Sequence, residues 1–337
     1  MAKTVFVLGA GASKEAGAPL MSEFLDRANS LDLSKHEKED IDNVFKAIQK
    51  LKVVHYNSYV DLDNIETVFG LIEMGTLINR LADVPLNELE GLKKSIQRLI
   101  VQTLDLSLKM KIDPENTLRQ LPAPCYHKFA STLKDKNAQA FSVITFNYDM
   151  VIDYAFRYYG IPIDYCLEEV QNNQALKLLK LHGSLNWGKC ECGTTYVLPW
   201  DKFKYTSSFL TIGATLLSQI HCENKTIEPV LVPPTWNKGA YHSELRNVWR
   251  QAAKELSEAE NIFIIGYSLP ESDIFFKYLF ALGTVGKAFL KKIWVYNPDP
   301  AVENRFKALI GKGIEKKFKF IQKPFSEVIY SIFNIID

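Results

Sequence analysis

The chain has 337 residues, enough for one large α/β domain carrying an insert or for two modest domains. Hydrophobic residues make up 47% and charged residues 23%, the balance of a soluble globular protein. The 40 basic and 39 acidic side chains leave a net charge of +1. Bulk electrostatics therefore give no case for strong nucleic-acid or membrane binding, and only a local basic patch stays open. No apolar run approaches the ~20 residues of a membrane span, and five irregularly spaced cysteines make no disulfide framework. A cytoplasmic protein is expected.

The first element is a short apolar strand, Thr4-Val5-Phe6-Val7-Leu8, which runs into Gly9-Ala10-Gly11-Ala12-Ser13. A buried strand that breaks on glycines and restarts as a helix is the phosphate-binding turn of nucleotide-binding α/β folds. There the glycines admit a pyrophosphate and helix N–H groups receive its charge. The third glycine comes late, at Gly17, with Pro19 behind it, so the Gly-x-Gly-x-x-Gly spacing is not met. A tight turn with no ligand is the competing reading. From about residue 20 to 135 the apolar residues recur at helical spacing: Ile41, Val44, Phe45, Ile48 and Leu51; Ile65, Val68, Phe69 and Ile72; Leu89, Leu92, Ile96, Leu99 and Ile100. No convincing strand interrupts them. Pro122 and Pro124 precede a helix carrying Phe129 and Leu133.

Strand-like runs then return: Phe141 to Phe146, ending at Asn147-Tyr148-Asp149, and Leu176 to Leu181, ending at His182-Gly183-Ser184. Residues 184–240 read as irregular. A helix through Leu245, Val248, Trp249, Ala252 and Leu256 leads to the strand Ile262–Ile265, which ends at Gly266-Tyr267-Ser268. A helix, the strand Ile293–Tyr296 ending at Asn297-Pro298, another helix and the strand Phe318–Ile321 complete the pattern. Strands alternating with helices predict an α/β fold, a Rossmann-like parallel sheet with helices on both faces. The expected division is a nucleotide-binding domain of residues 1–19 and 136–337, with residues 20–135 as a helical insert after the first strand. The insert is expected to pack over the carboxyl edge of the sheet and to contribute to self-assembly, because its apolar faces are broad.

Ligands of such sheets bind beyond the carboxyl ends of the strands, and polar residues stand at five of those ends. Taken singly, Asn147 and Asp149 read equally as helix caps, and His182 as a buried imidazole bonded to a carbonyl. Together they form a candidate site.

These residues resemble a family. Gly9-Ala10-Gly11, Ser13, Gly17 and Pro19 match the opening signature of sirtuins. Thr145-Phe146-Asn147-Tyr148-Asp149 resembles their Thr-Gln-Asn-Ile-Asp block, and Leu181-His182-Gly183 their catalytic His-Gly. Gly266-Tyr267-Ser268 and Asn297-Pro298 resemble the blocks that hold the adenosine half of NAD. The resemblance implies that Asn147, His182 and Asp149 are catalytic. It implies that Gly9, Ala10, Gly11, Ser13, Gly266, Ser268 and Asn297 bind the nucleotide. Two departures stand out. Leu20-Met21-Ser22 replaces the Phe-Arg of sirtuin deacetylases, and Cys190-Glu191-Cys192 is the only close cysteine pair, with His221-Cys222 far along the chain. No zinc is therefore expected, since a structural site needs four ligands; Cys166 and Cys222 remain as distant candidates.

Leu181 to Trp187, Pro233-Pro234-Thr235 with Lys238, Gly266 to Pro270 with Asp273, and the insert with Glu66 are similar to the sirtuin-like NAD hydrolases of bacterial antiphage defence. That likeness implies NAD as substrate, cleaved to nicotinamide and ADP-ribose. It further implies a need for gating, with a hexameric HerA-like ATPase or a phage-derived trigger as the partner, and a homo-oligomer. An NAD-dependent protein deacylase and a non-catalytic NAD or ADP-ribose sensor are the alternatives, separable by NAD turnover with and without an acylated peptide.

Overall fold

The computed structural model describes residues 3–33, 38–108, 110–115, 120–169, 172–190, 194–198, 227–232, 245–286 and 288–335. In chain order the strands are β1 (Thr4–Leu8), β2 (Lys111–Ile112), β3 (Gln120–Leu121), β4 (Phe141–Thr145), β5 (Ile163–Asp164), β6 (Leu176–Lys180), β7 (Gly183–Cys190), β8 (Thr195–Val197), β9 (Ile227–Leu231), β10 (Asn261–Ile265), β11 (Lys292–Tyr296) and β12 (Phe318–Ile321). The helices are α1 (Ala10–Ser13), α2 (Phe24–Asn29), α3 (Glu39–Leu51), α4 (Ile65–Leu77), α5 (Leu86–Ser107), α6 (Pro124–Asp135), α7 (Val151–Tyr158), α8 (Arg246–Glu258), α9 (Ile274–Gly283), α10 (Ala301–Leu309) and α11 (Phe325–Ile332).

The chain divides into two compact units. The first comprises Met1–Ala18, Lys109–Ser184 and Tyr241–Asp337. Its centre is a seven-stranded sheet in the order β12-β11-β10-β1-β4-β6-β5, every pair parallel. β1 is fully buried and central because five consecutive apolar or β-branched residues suit a strand covered on both faces. On one face Phe6 meets Phe129 of α6 edge-on at 4.9 Å, stacks on Phe263 at 5.7 Å and lies 5.8 Å from Phe333. On the other, Ser142 of β4 donates to Glu255 of α8, which also pairs with Lys3 at 2.9 Å. Helices thus cover both faces, as the alternating pattern predicts.

α6 starts on Pro124 and buries Tyr126, Phe129, Ala130 and Leu133 on one stripe against α7 and α11. Contacts therefore group α6 with the sheet, whereas its helical spacing alone had grouped it with the residues 20–135.

The second unit comprises Pro19–Leu108 and Leu185–Ala240. α5 is its spine, with α2, α3 and α4 packed along it. Ser95 donates to Asp40 at 2.7 Å and Arg27 to Ser107 at 2.9 Å, tying α3 and α2 to α5. Two features differ from the sequence reading. Part of 184–240, read as irregular, forms the three-stranded sheet β8-β7-β9, and the short antiparallel pair β2–β3 interrupts the run read as wholly helical. β7 is buried on both faces with Ser184, Asn186 and Gly188 among its residues, so it shows neither alternation nor an apolar run.

α9 is apolar apart from Lys277. Phe276, Leu279 and Phe280 are buried, while Ile274, Tyr278 and Leu282 are exposed, as are Val285 and Phe289 beyond it. No helix among the described residues is long and apolar enough to cross a membrane.

Candidate active site at the carboxyl edge of the sheet

The parallel register sets the site. Leu8 pairs with both Thr145 and Ile265, Thr145 with Lys180, and Ile265 with Tyr296. Gly9, Phe146, Leu181, Gly266 and Asn297 therefore leave the sheet side by side, and the candidate residues follow on one edge.

The glycines of the first turn answer to another stretch of backbone. A Cβ on Gly9 would lie 2.5 Å from Tyr267 Cα, and one on Gly11 2.9 Å from the Gly266 carbonyl oxygen. Gly266 has φ +62° and its Cβ would lie 2.4 Å from the Ala12 nitrogen. The turns after β1 and β10 thus cross at a spacing that side chains forbid. The N–H groups of Gly9, Gly11 and Ala12 donate to the carbonyls of Ile265, Gly266 and Gly9 at 2.9–3.0 Å. A phosphate here would be held by other groups. Ala10 and Gly11 remain partly exposed.

Asn147 donates from Nδ2 to the Gly9 carbonyl at 2.9 Å and to Ser13 Oγ at 3.1 Å. A carbonyl can only accept, which fixes the orientation of the amide. Sequence reading sets Ser13 at the pyrophosphate; in the structure its hydroxyl is fully enclosed, meeting Asn147 and, at 3.1 Å, the Tyr126 hydroxyl. Asp149 is buried, and its Oδ1 accepts from the Val151 N–H at 3.1 Å, capping α7. Burial pushes its carboxyl above the ordinary range, opposed by the Lys180 charge, the Val151 N–H and the Ser13 hydroxyl. Burial likewise pushes the Tyr126 phenol far up, and the Asp149 charge adds to it.

His182 sits at the other end of this group. Its Nε2 lies 3.3 Å from Asp273 Oδ1, and Asp273 Oδ2 accepts from the Tyr267 hydroxyl at 2.9 Å. All three side chains are buried. Phe146 stacks on Tyr267 at 4.3 Å and meets the His182 ring edge-on at 5.1 Å; Tyr148 lies 6.1 Å from that ring. The two residues flanking Asn147 therefore pack against the histidine.

Asn297 spends its amide on the turn, donating to the Tyr267 carbonyl at 3.3 Å and accepting from the Asp299 N–H at 3.0 Å. Ser268 is exposed, and its carbonyl accepts from Arg305 at 3.0 Å. Glu66 lies in the second unit, in the first turn of α4, its N–H capped by Asn64. Cys192, His221, Cys222, Pro233, Pro234, Thr235 and Lys238 lie outside the described residues. Among the described residues no three potential metal ligands converge. Burial and Asp164 raise the Cys166 thiol to about 12, so the neutral thiol dominates there.

Tyr126, Lys180 and Asp153 were not marked by the sequence reading, and Asp273 was marked only through a resemblance. The one local signal was Lys180, a lysine inside an apolar strand two residues before the histidine.

The SIR2-like domain profile matches residues 142–315, from β4 through α10. The chain belongs to the SIR2-like family. The matched span holds Asn147, Asp149, His182, Gly266, Ser268, Asp273 and Asn297 of this SIR2-like chain. Among solved structures it is similar to a Sir2 with p53 peptide and NAD+, at 14% identity over 98% of this chain and 92% of that one, TM-score 0.43. A Sir2 bound to acetylated peptide matches at 15% identity over the same shares, also with TM-score 0.43. No curated protein shows significant sequence similarity to the SIR2-like chain.

Proposed function

We propose that this SIR2-like chain is an NAD glycohydrolase that cleaves NAD to nicotinamide and ADP-ribose. The observation that carries the reading is the buried pair of His182 Nε2 with Asp273 Oδ1, 3.3 Å apart, on the strand edge that also bears Asn147. A buried carboxylate beside the imidazole plays the orienting role that a carboxylate plays for a histidine base. Both Asn147 bonds use Nδ2, so Oδ1 is the atom left to meet a ribose hydroxyl or the attacking water.

The nicotinamide–ribose bond breaks through an oxocarbenium-like state, and nicotinamide leaves as a neutral molecule from a cationic ring. The protein's work is to orient the ribose, shield the cation and deliver water to C1′. His182 takes the proton from water or from a ribose hydroxyl. Asn147 aligns it. Asp149, in the same segment, caps α7 through its Oδ1 and holds the stretch that carries Asn147 against the site. Gly9, Ser13, Gly266 and Asn297 shape the nucleotide-binding turns from within, and Ala10, Gly11 and Ser268 are their exposed parts.

We place this activity in gated antiphage defence in the cytoplasm, with a HerA-like ATPase or a phage component as trigger and the chain as a homo-oligomer. Unregulated NAD cleavage is toxic to a host, which is the motive for a gate. Chromatography of nicotinamide and ADP-ribose released from NAD tests the reading. Release that requires an acylated peptide would make the protein a deacylase, and binding of NAD without release, in the presence of its partner, would make it a sensor.

A further inference from the structure

β6 presents a lysine to the protein interior. Lys180 has no exposed surface, and neither has Asp153 of α7, its partner at 3.0 Å. An ammonium so placed must fill all three of its donors. Lys180 Nζ donates to Asp153 Oδ2, to the Asp149 carbonyl at 2.6 Å and to the Tyr148 carbonyl at 3.5 Å. Asp153 is in turn held by the Tyr165 hydroxyl at 2.6 Å, and Ser184 Oγ also reaches the Tyr148 carbonyl at 3.5 Å.

Two of these acceptors are peptide carbonyls of Phe146–Met150, which is buried throughout and has no regular secondary structure. A buried segment of that kind has no ladder to take up its carbonyls, so a side chain must. The side chain that does so belongs to the strand bearing His182 two residues on. One ammonium therefore joins the two strand ends that carry Asn147 and His182.

We propose that Lys180 is a positioning residue: its bonds to the Tyr148 and Asp149 carbonyls fix the Asn147–Asp149 segment relative to His182, while its pairing with Asp153 balances its buried charge. It touches no substrate. The two parts are separable. Asp153→Asn keeps an oxygen acceptor for the ammonium and leaves both carbonyl bonds in place. Lys180→Met removes every bond but strands the Asp153 carboxylate, so it is paired with Asp153→Leu to keep the interior neutral.

This proposal rests on the NAD-cleavage reading only for its kinetic readout, so hydrogen exchange is measured beside turnover. In Lys180→Met/Asp153→Leu, amide exchange across residues 146–150 should accelerate at least tenfold while β1 and β10 keep their protection. With NAD, kcat should fall about 100-fold, the order expected of a displacement near 1 Å, with KM within about threefold. Asp153→Asn should keep kcat within about threefold of the parent. Unchanged exchange over 146–150 in the double variant overturns the proposal. So does a double variant with parental kcat, or an Asp153→Asn protein that loses kcat as fully as the double variant. If the parent cleaves no NAD even with its trigger present, the glycohydrolase reading falls and the exchange measurement alone decides this one.

Discussion

His182 and Asn147 owe their places to opposite devices. The imidazole is held by a carboxylate from a distant stretch, the amide by a carbonyl and a hydroxyl at the head of the chain. Replacing His182 with Ala removes the base and leaves the glycine turns untouched. Turnover should drop by roughly two or more orders of magnitude while calorimetric NAD binding is largely kept; a variant that still hydrolyses NAD at the parental rate would remove the assignment. Asp273→Asn tests the orienting carboxylate. Its kcat should fall about 10- to 100-fold, and Tyr267→Phe, which removes the hydroxyl bond to Asp273 and leaves the carboxylate in place, should cost less. Ser13→Ala now carries a different expectation from a phosphate ligand. Its enclosed hydroxyl steadies Asn147, so the loss should appear mainly in kcat, and a change confined to KM would show that the hydroxyl serves the ligand directly.

The crossing of the β1 and β10 turns is the feature on which the site's frame depends. Gly266→Ala would set a Cβ 2.4 Å from the Ala12 nitrogen at a φ that side chains resist. Denaturant unfolding should report a loss of roughly 2–4 kcal/mol, and a variant with parental stability would mean that the turns separate cheaply. The strands of this frame were legible because β1, β4, β6 and β10 are covered on both faces, so each reads as a short apolar run closed by a polar residue or glycine. β5 was not, because two paired residues leave no pattern, and β7 was not, because its buried polar residues imitate a loop. The glycine signature was legible as a turn, but its cause, a second turn more than two hundred residues away, was beyond local reading. The links His182–Asp273 and Lys180–Asp153 were hidden for the same reason: each joins charges whose meaning depends on a fold that only long-range pairing creates.

Across the molecule, ionisation and assembly are the measurable consequences. Asp105 on α5 is half-buried, and desolvation raises its carboxyl to about 7. Its neutral form is favoured by folding, so stability falls as pH rises from the unfolded value near 4 through 7. Asp105→Asn should flatten that slope and gain roughly 1–2 kcal/mol at pH 8, after discounting for partial exposure; a slope unchanged between pH 4 and 7 argues against it. Exposed apolar side chains occur in both units, Tyr56 and Tyr59 in one and Leu282, Val285 and Phe289 in the other. Light scattering on a sizing column should therefore find a species larger than one 38.4 kDa chain, and a strict monomer at micromolar concentration counts against assembly. The sheet's pairing carries one more consequence, for the order of synthesis. Asn147 meets Gly9 across 138 positions, and Asn261 of β10 meets Thr4 of β1 across 257. On the ribosome, β1 must wait for the last third of the chain before its second flank exists. His182 receives its carboxylate only after β10 and the residues beyond it have been made, so a nascent chain that has not reached Asp273 lacks the assembled edge.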